Sequence, residues 1–284
     1  MIASRSEKLS APKLEFQAQG HLIKIKWNVG ALTVLKYNAA RGAITEFSRK
    51  SRKRLLEMTA RLDLKAVTRK SPVIFVTLTY GSEFPSGEAS KPHLRAFLER
   101  VRRFAPQSSA VWRLEYQKRG APHYHFIFYN LPYIPKEDLQ KAWAEIIGQE
   151  YWDTSQENIR YPFTRIEMIR NPRQVMAYVS KYVAKHASEG DAVSGFINLP
   201  YPHAGRFWGV FNREFLPFAE LITMSIQAET VNIAELLFQF RRLMAKKWKP
   251  ANKFGRLKGA SIFVDYADCW HDAFLYCLME VDKY

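Results

Sequence analysis

The chain has 284 residues, 47% of them hydrophobic, which is enough for one large domain or for a core domain with extensions. Its net charge of +16 at pH 7 asks for a polyanionic partner without choosing among DNA, RNA and an acidic membrane surface. Cys269 and Cys277 form no CxxC pair, which argues against a disulfide framework or zinc knuckle, and charges in the first 16 residues with no later run of about 18 apolar residues exclude a signal peptide and a membrane span. The expectation is a protein of the reducing cytoplasm with no membrane partner.

In chain order, residues 1 to about 20 carry mixed charge without a period and are expected to be loosely structured. His21 to Trp27 and Ala31 to Tyr37 read as two strands around the turn Asn28-Val29-Gly30. Thr45 to Leu62 reads as a helix with Ser48 as its cap and Leu55, Leu56, Met58 and Leu62 facing inward. Its start carries Arg49, Lys50, Arg52, Lys53 and Arg54, either a solvated face or a set of phosphate contacts. These elements make an N-terminal extension over residues 1–70.

The central domain is assigned to residues 71–190. Val73 to Tyr80 alternates as a strand, with Phe75, Thr77 and Thr79 on one side; the threonines are read as strand formers before they are read as lining a site. A Gly/Ser/Pro-rich loop leads to a helix from about His93 to Phe104, whose inward stripe is Leu94, Phe97, Leu98 and Val101. His93 is taken as a surface or capping residue.

Val111 to Asn130, VWRLEYQKRGAPHYHFIFYN, splits into two strands around Lys118-Arg119-Gly120-Ala121-Pro122. Alternation puts Arg113, Glu115, Gln117, His123, His125 and Ile127 on one face and Trp112, Leu114, Tyr116, Tyr124, Phe126 and Phe128 on the other. With the turn centred near Gly120, Glu115 falls opposite His125 and Gln117 opposite His123; an odd register would turn Glu115 to the wrong face. Two imidazoles and a carboxylate supply three ligands for a divalent cation and leave positions open for a substrate oxygen. The plainer reading is two half-exposed histidines and no metal. The apolar reverse face and the adjacent carboxylate weigh against it.

Lys136 to Ile147 reads as an amphipathic helix and Arg160 to Ile169 as a strand. The fold class that follows is α+β, an RRM-like split β-α-β antiparallel sheet, with helices over the aromatic face and the histidine face open to substrate. Asn171 to His186, NPRQVMAYVSKYVAKH, then begins with a capping Asn and a first-turn Pro. Gln174, Tyr178, Lys181, Tyr182 and Lys185 share one helical face, and Val175, Met176, Val179 and Val183 the other. A tyrosine pair one turn apart is often core packing, but here the apolar stripe is already filled. A phenolate steadied by nearby cations can attack a phosphorus whose oxygens are held by a metal, and the phosphotyrosine formed conserves the ester energy for resealing.

Residues 191–284 form a C-terminal helical, basic extension. In GRFWGVFNR (Gly205 to Arg213), Arg206 and Trp208 either grip a nucleotide by charge and stacking or, for Trp208, belong to the core, the reading preferred. Asn232 to Met244 reads as a helix, Lys246 to Lys258 as a basic arm or a solvated linker, and Ser261 to Glu280 as apolar enough to fold back or meet a partner.

FVTLTY (Phe75 to Tyr80), the Glu115, His123 and His125 arrangement, and YVSKYVAKH (Tyr178 to His186) stand in an order that resembles the HUH endonucleases, the rolling-circle replication initiators of plasmids and small single-stranded DNA phages. The Tyr-x-x-Lys-Tyr form is most similar to their two-tyrosine members, and the resemblance spans roughly Ile44 to Asn212. It implies that His123 and His125 bind Mg2+ or Mn2+ with Glu115 as third ligand, and that Tyr178 and Tyr182 are nucleophiles assisted by Lys181. It implies single-stranded origin DNA as substrate, held with help from Lys185, Arg206 and the basic helix start, and a host helicase and DNA polymerase as partners. A transposase or relaxase would use the same chemistry. An RRM-like sheet that binds single strands without cutting is the reading from another class.

Overall fold

The computed structural model describes residues 13–28, 44, 47–63, 67, 73–149, 164–169, 205–227, 235–236, 238–239, 242 and 261–263. The chain divides into two compact units, one of Met1–Ala40, Ala60–Leu62 and Phe218–Tyr284, the other of Arg41–Thr59 and Asp63–Pro217.

The first unit carries a four-stranded antiparallel sheet. Strands β1 (Lys13–Gln19) and β2 (Leu22–Asn28) form a hairpin whose turn is Gly20-His21, with Gly20 at a φ of 57°. A side chain at Gly20 would stand 2.6 Å from the Ala60 carbonyl oxygen, so both the backbone angle and the close approach call for glycine. Leu14, Phe16 and Ala18 alternate into the core opposite Trp27, Ile25 and Ile23. This corrects the loose structure expected before residue 20 and moves the hairpin one strand towards the N-terminus. The strand expected over residues 31–37 lies outside the described residues. β8 (Leu221–Gln227) pairs with β1 and β9 (Ser261–Phe263) with β2, so the described strands of the terminal segments share one sheet.

The second unit holds a five-stranded antiparallel sheet in the order β6-β3-β5-β4-β7. Its strands are β3 (Val73–Leu78), β4 (Ser109–Tyr116), β5 (Pro122–Tyr129), β6 (Thr164–Ile169) and β7 (Trp208–Phe211). Helix α2 (Lys91–Phe104) joins β3 to β4 and α3 (Lys136–Ile147) joins β5 to β6. The succession strand, helix, strand, strand, helix, strand is the one read from the sequence, and each crossover places a helix over the sheet.

Both helices lie on the aromatic face. Phe97 of α2 meets Phe126, Phe128 and the indole of Trp143 from α3 at centroid distances of 5.3, 6.3 and 6.1 Å. Trp143 is fully buried and donates its indole N–H to the Thr79 carbonyl at 2.5 Å, so a large ring enters the core without an unsatisfied donor. Tyr124 likewise shares a 2.6 Å hydrogen bond with Ser90 Oγ.

Helix α1 (Arg49–Ala60) starts where the sequence places its cap: Ser48 Oγ accepts the Ser51 backbone N–H at 3.2 Å. Leu55 and Met58 are buried. Its first turns come against the opposite face of the sheet at the β4–β7 edge. There Ser51 Oγ accepts the Trp208 indole N–H at 3.0 Å, and Phe47 lies under the Arg113 guanidinium at 5.1 Å. No helix among the described residues is long and apolar enough to cross a membrane.

Candidate functional site

The hairpin of β4 and β5 carries the histidines, but its register differs by two residues from the expected one. Glu115 pairs with His123 and Arg113 with His125. The turn is wider than a reversal centred on Gly120: Tyr116 pairs with Pro122, Gln117 N–H reaches the Ala121 carbonyl at 3.0 Å, and Gly120 takes a φ of 87°. Arg119 fixes this turn by donating to the Tyr80 and Gly81 carbonyls while stacking over Phe84. Because the shift is even, every side chain keeps its face.

On that face the strands align their residues in rows. Arg165, Thr77, His125, Arg113 and Trp208 are successive partners across β6, β3, β5, β4 and β7. His123 and Glu115 pair in the next row. On the other side Phe75, Ile127, Val111 and Val210 make an apolar row. The polar rows are therefore bordered by packed hydrocarbon, where charges are poorly screened.

The geometry within the rows is close. The two imidazole centroids are 4.4 Å apart with the rings nearly perpendicular. His125 Nε2 lies 3.3 Å from Glu115 Oε2, and Arg113 approaches Glu115 Oε1 at 3.0 Å. Thr77 Oγ1 is 3.2 Å from His125 Nδ1. His125 and Arg113 are only 9% and 5% exposed, so this part of the face is not the open platform the sequence suggested. The cause is the cover given by Phe47, α1 and the added strand β7. Thr77, taken as a strand former, touches the site, and Arg113 holds its carboxylate. Neither role could be found without knowing that β3 lies beside β5.

Among the described residues, no group of three or more His, Cys, Asp or Glu side chains is placed so that it could hold a metal ion. In kind, His123, His125 and Glu115 are donors suited to a divalent cation, and nitrogen ligands favour Mn2+ over Mg2+. The 3.3 Å between His125 Nε2 and Glu115 Oε2 also matches the spacing of two adjacent ligands bound at about 2.1–2.3 Å to one ion.

The other sequence-derived candidates divide. Arg49, Lys50, Lys53 and Arg54 are exposed on α1, Arg52 less so, at the edge of the histidine face. Arg206 is exposed, and its carbonyl accepts Lys91 Nζ at 2.6 Å. Trp208 is half-buried rather than core. Tyr178, Lys181, Tyr182 and Lys185 lie outside the described residues. Among the described tyrosines, burial pushes the phenol of Tyr116 up to about 12 and raises those of Tyr80, Tyr124 and Tyr129 further. A phenol so disposed is a poor source of nucleophilic phenolate.

Residues 73–187 match the model of a family described as replication-associated protein of the ORF2 type. The matched segment takes in the histidine hairpin and both positions Tyr178 and Tyr182. No curated protein and no solved structure matches the chain significantly.

Proposed function

We propose that the chain is a replication initiator that nicks single-stranded origin DNA by tyrosine attack and later rejoins the strands. The observation that carries this reading is the placement of His123, His125 and Glu115 on one sheet face, inside a segment similar to replication-associated proteins. The order β6-β3-β5-β4 with two crossover helices on the far face supports the RRM-like form of the fold.

In this reading His123, His125 and Glu115 hold Mg2+ or Mn2+, which when bound polarises the scissile phosphate and offsets charge developing on its oxygens. Tyr178 loses its phenolic proton and attacks phosphorus. The bond to the 3′ oxygen breaks, that oxygen takes up a proton, and a 5′-phosphotyrosine remains with a free 3′-hydroxyl for a host polymerase. Tyr182 repeats the cut at the regenerated origin, and the released 3′-hydroxyl attacks the first linkage to close the circle. Lys181 stabilises phenolate or phosphate charge.

The basic start of α1, with Lys185 and Arg206, supplies sequence-independent phosphate contacts. A host helicase that opens the duplex completes the set of partners, and the setting is the cytoplasm. Labelled single-stranded fragments incubated with Mn2+ or with chelator test the reading. Scission in Mn2+ and none in chelator is expected. Binding that ignores chelator, with no scission under either condition, indicates a non-catalytic single-strand binder instead.

A further inference from the structure

Thr77 faces a site histidine across the β3–β5 pairing, with Oγ1 3.2 Å from His125 Nδ1. On the other side of the same ring, Nε2 faces Glu115 Oε2 at 3.3 Å. The far oxygen of that carboxylate is held by the buried Arg113 guanidinium at 3.0 Å. The imidazole is thus set between a group that can either donate or accept and one that only accepts.

These roles fix the proton on the ring. With Nε2–H directed to Glu115, Nδ1 is the acceptor and Thr77 must donate to it. When Nε2 gives its lone pair to a cation, the one ring proton sits on Nδ1, and the Thr77 hydroxyl turns to accept it. The ring stays neutral in both states, with one N–H before and one after. Hydroxyl rotation is the adjustment the protein makes, and an amide or ammonium could not make it in both directions.

We propose that Thr77 is a positioning residue for cation binding, selecting the His125 tautomer that presents Nε2 while Arg113 keeps Glu115 aimed at the same point. The proposal rests on the metal-site reading given above. A residue bonded to the second nitrogen of a ligating histidine typically changes metal affinity by about 10- to 100-fold when removed.

The test is Mn2+ binding to the full chain without DNA, followed by calorimetry and by the electron paramagnetic resonance of free Mn2+, for wild type, Thr77→Val and Thr77→Ser. Valine keeps the shape and strand preference of threonine, and a thermal melt confirms folding. The expected result is affinity reduced about 10- to 100-fold in Thr77→Val and retained within a few-fold in Thr77→Ser. Nitrogen-15 imidazole spectra of the metal-free proteins should show a single Nε2–H tautomer at His125 in wild type and a mixture in Thr77→Val. Equal Mn2+ affinity in wild type and Thr77→Val overturns the positioning role and leaves the metal site standing. A wild-type chain that takes up no Mn2+ overturns the metal site and the proposal together.

Discussion

Arg113 and Glu115 show how much one buried pair can constrain. The side chains are 6% and 14% exposed and 3.0 Å apart, so removing one partner leaves the other charge in a region where water cannot compensate it. Arg113→Met is therefore expected to lower unfolding free energy by about 3–5 kcal/mol, and adding Glu115→Gln should restore part of that loss in a denaturant titration. Lys91 tells a different electrostatic story. Burial lowers its ammonium from 10.5 to about 8, beside the rings of Trp112 and Tyr124 at 5.2 and 5.5 Å. Between about pH 8 and 10.5 the unfolded chain then holds more protons at this group, so stability rises with pH and is lost as pH falls through about 8. The buried tyrosines have the opposite sign. Their phenols stay protonated in the folded chain above the ordinary 10.0, so their contribution is full below that pH and declines above it. A stability profile that climbs from pH 8 and turns over beyond 10 is expected, with the climb flattened in Lys91→Met.

β7 owes its place to a glycine. A Cβ at Gly209 would stand 2.7 Å from the Trp112 ring, so the strand can lie against β4 only because nothing projects there. Gly209→Ala should cost about 1–3 kcal/mol by overpacking, and Trp112→Leu in the same chain should relieve part of it. Such contacts are hidden in a sequence because they join residues far apart. The periodic elements are not hidden: α3 spans Lys136–Ile147 as its apolar spacing predicts, and α1 begins after Ser48. The β4–β5 faces are likewise legible from alternation alone. Their register is not, since any even shift satisfies the same pattern and only the width of the 117–121 turn decides among them. β1 was readable in principle from the alternation of Leu14, Phe16 and Ala18, but the charged flanks concealed it.

Taken together, the chain sets a strongly basic surface beside a site whose donors suit a cation and whose substrate would be an anion. Single-strand binding should weaken with added salt, with a slope of about 0.7 per phosphate neutralised. Replacing Arg49, Lys50, Lys53 and Arg54 by Gln should lower that slope without changing the preferred origin sequence, because phosphate contacts carry no base readout. What chemistry occurs depends on Tyr178 and Tyr182, which sequence pattern and family likeness single out and which lie beyond the described residues. The most direct measurement incubates origin fragments, labelled on the 3′ side of the cut, with Mn2+ and looks for protein-linked DNA on a denaturing gel. Wild type should form the adduct and each Tyr→Phe variant should form less. Tyr178→Phe with Tyr182→Phe should form none, and His123→Ala with His125→Ala at least about 100-fold less. An undiminished adduct in the double tyrosine variant, or strand scission with no protein attached, would contradict the account.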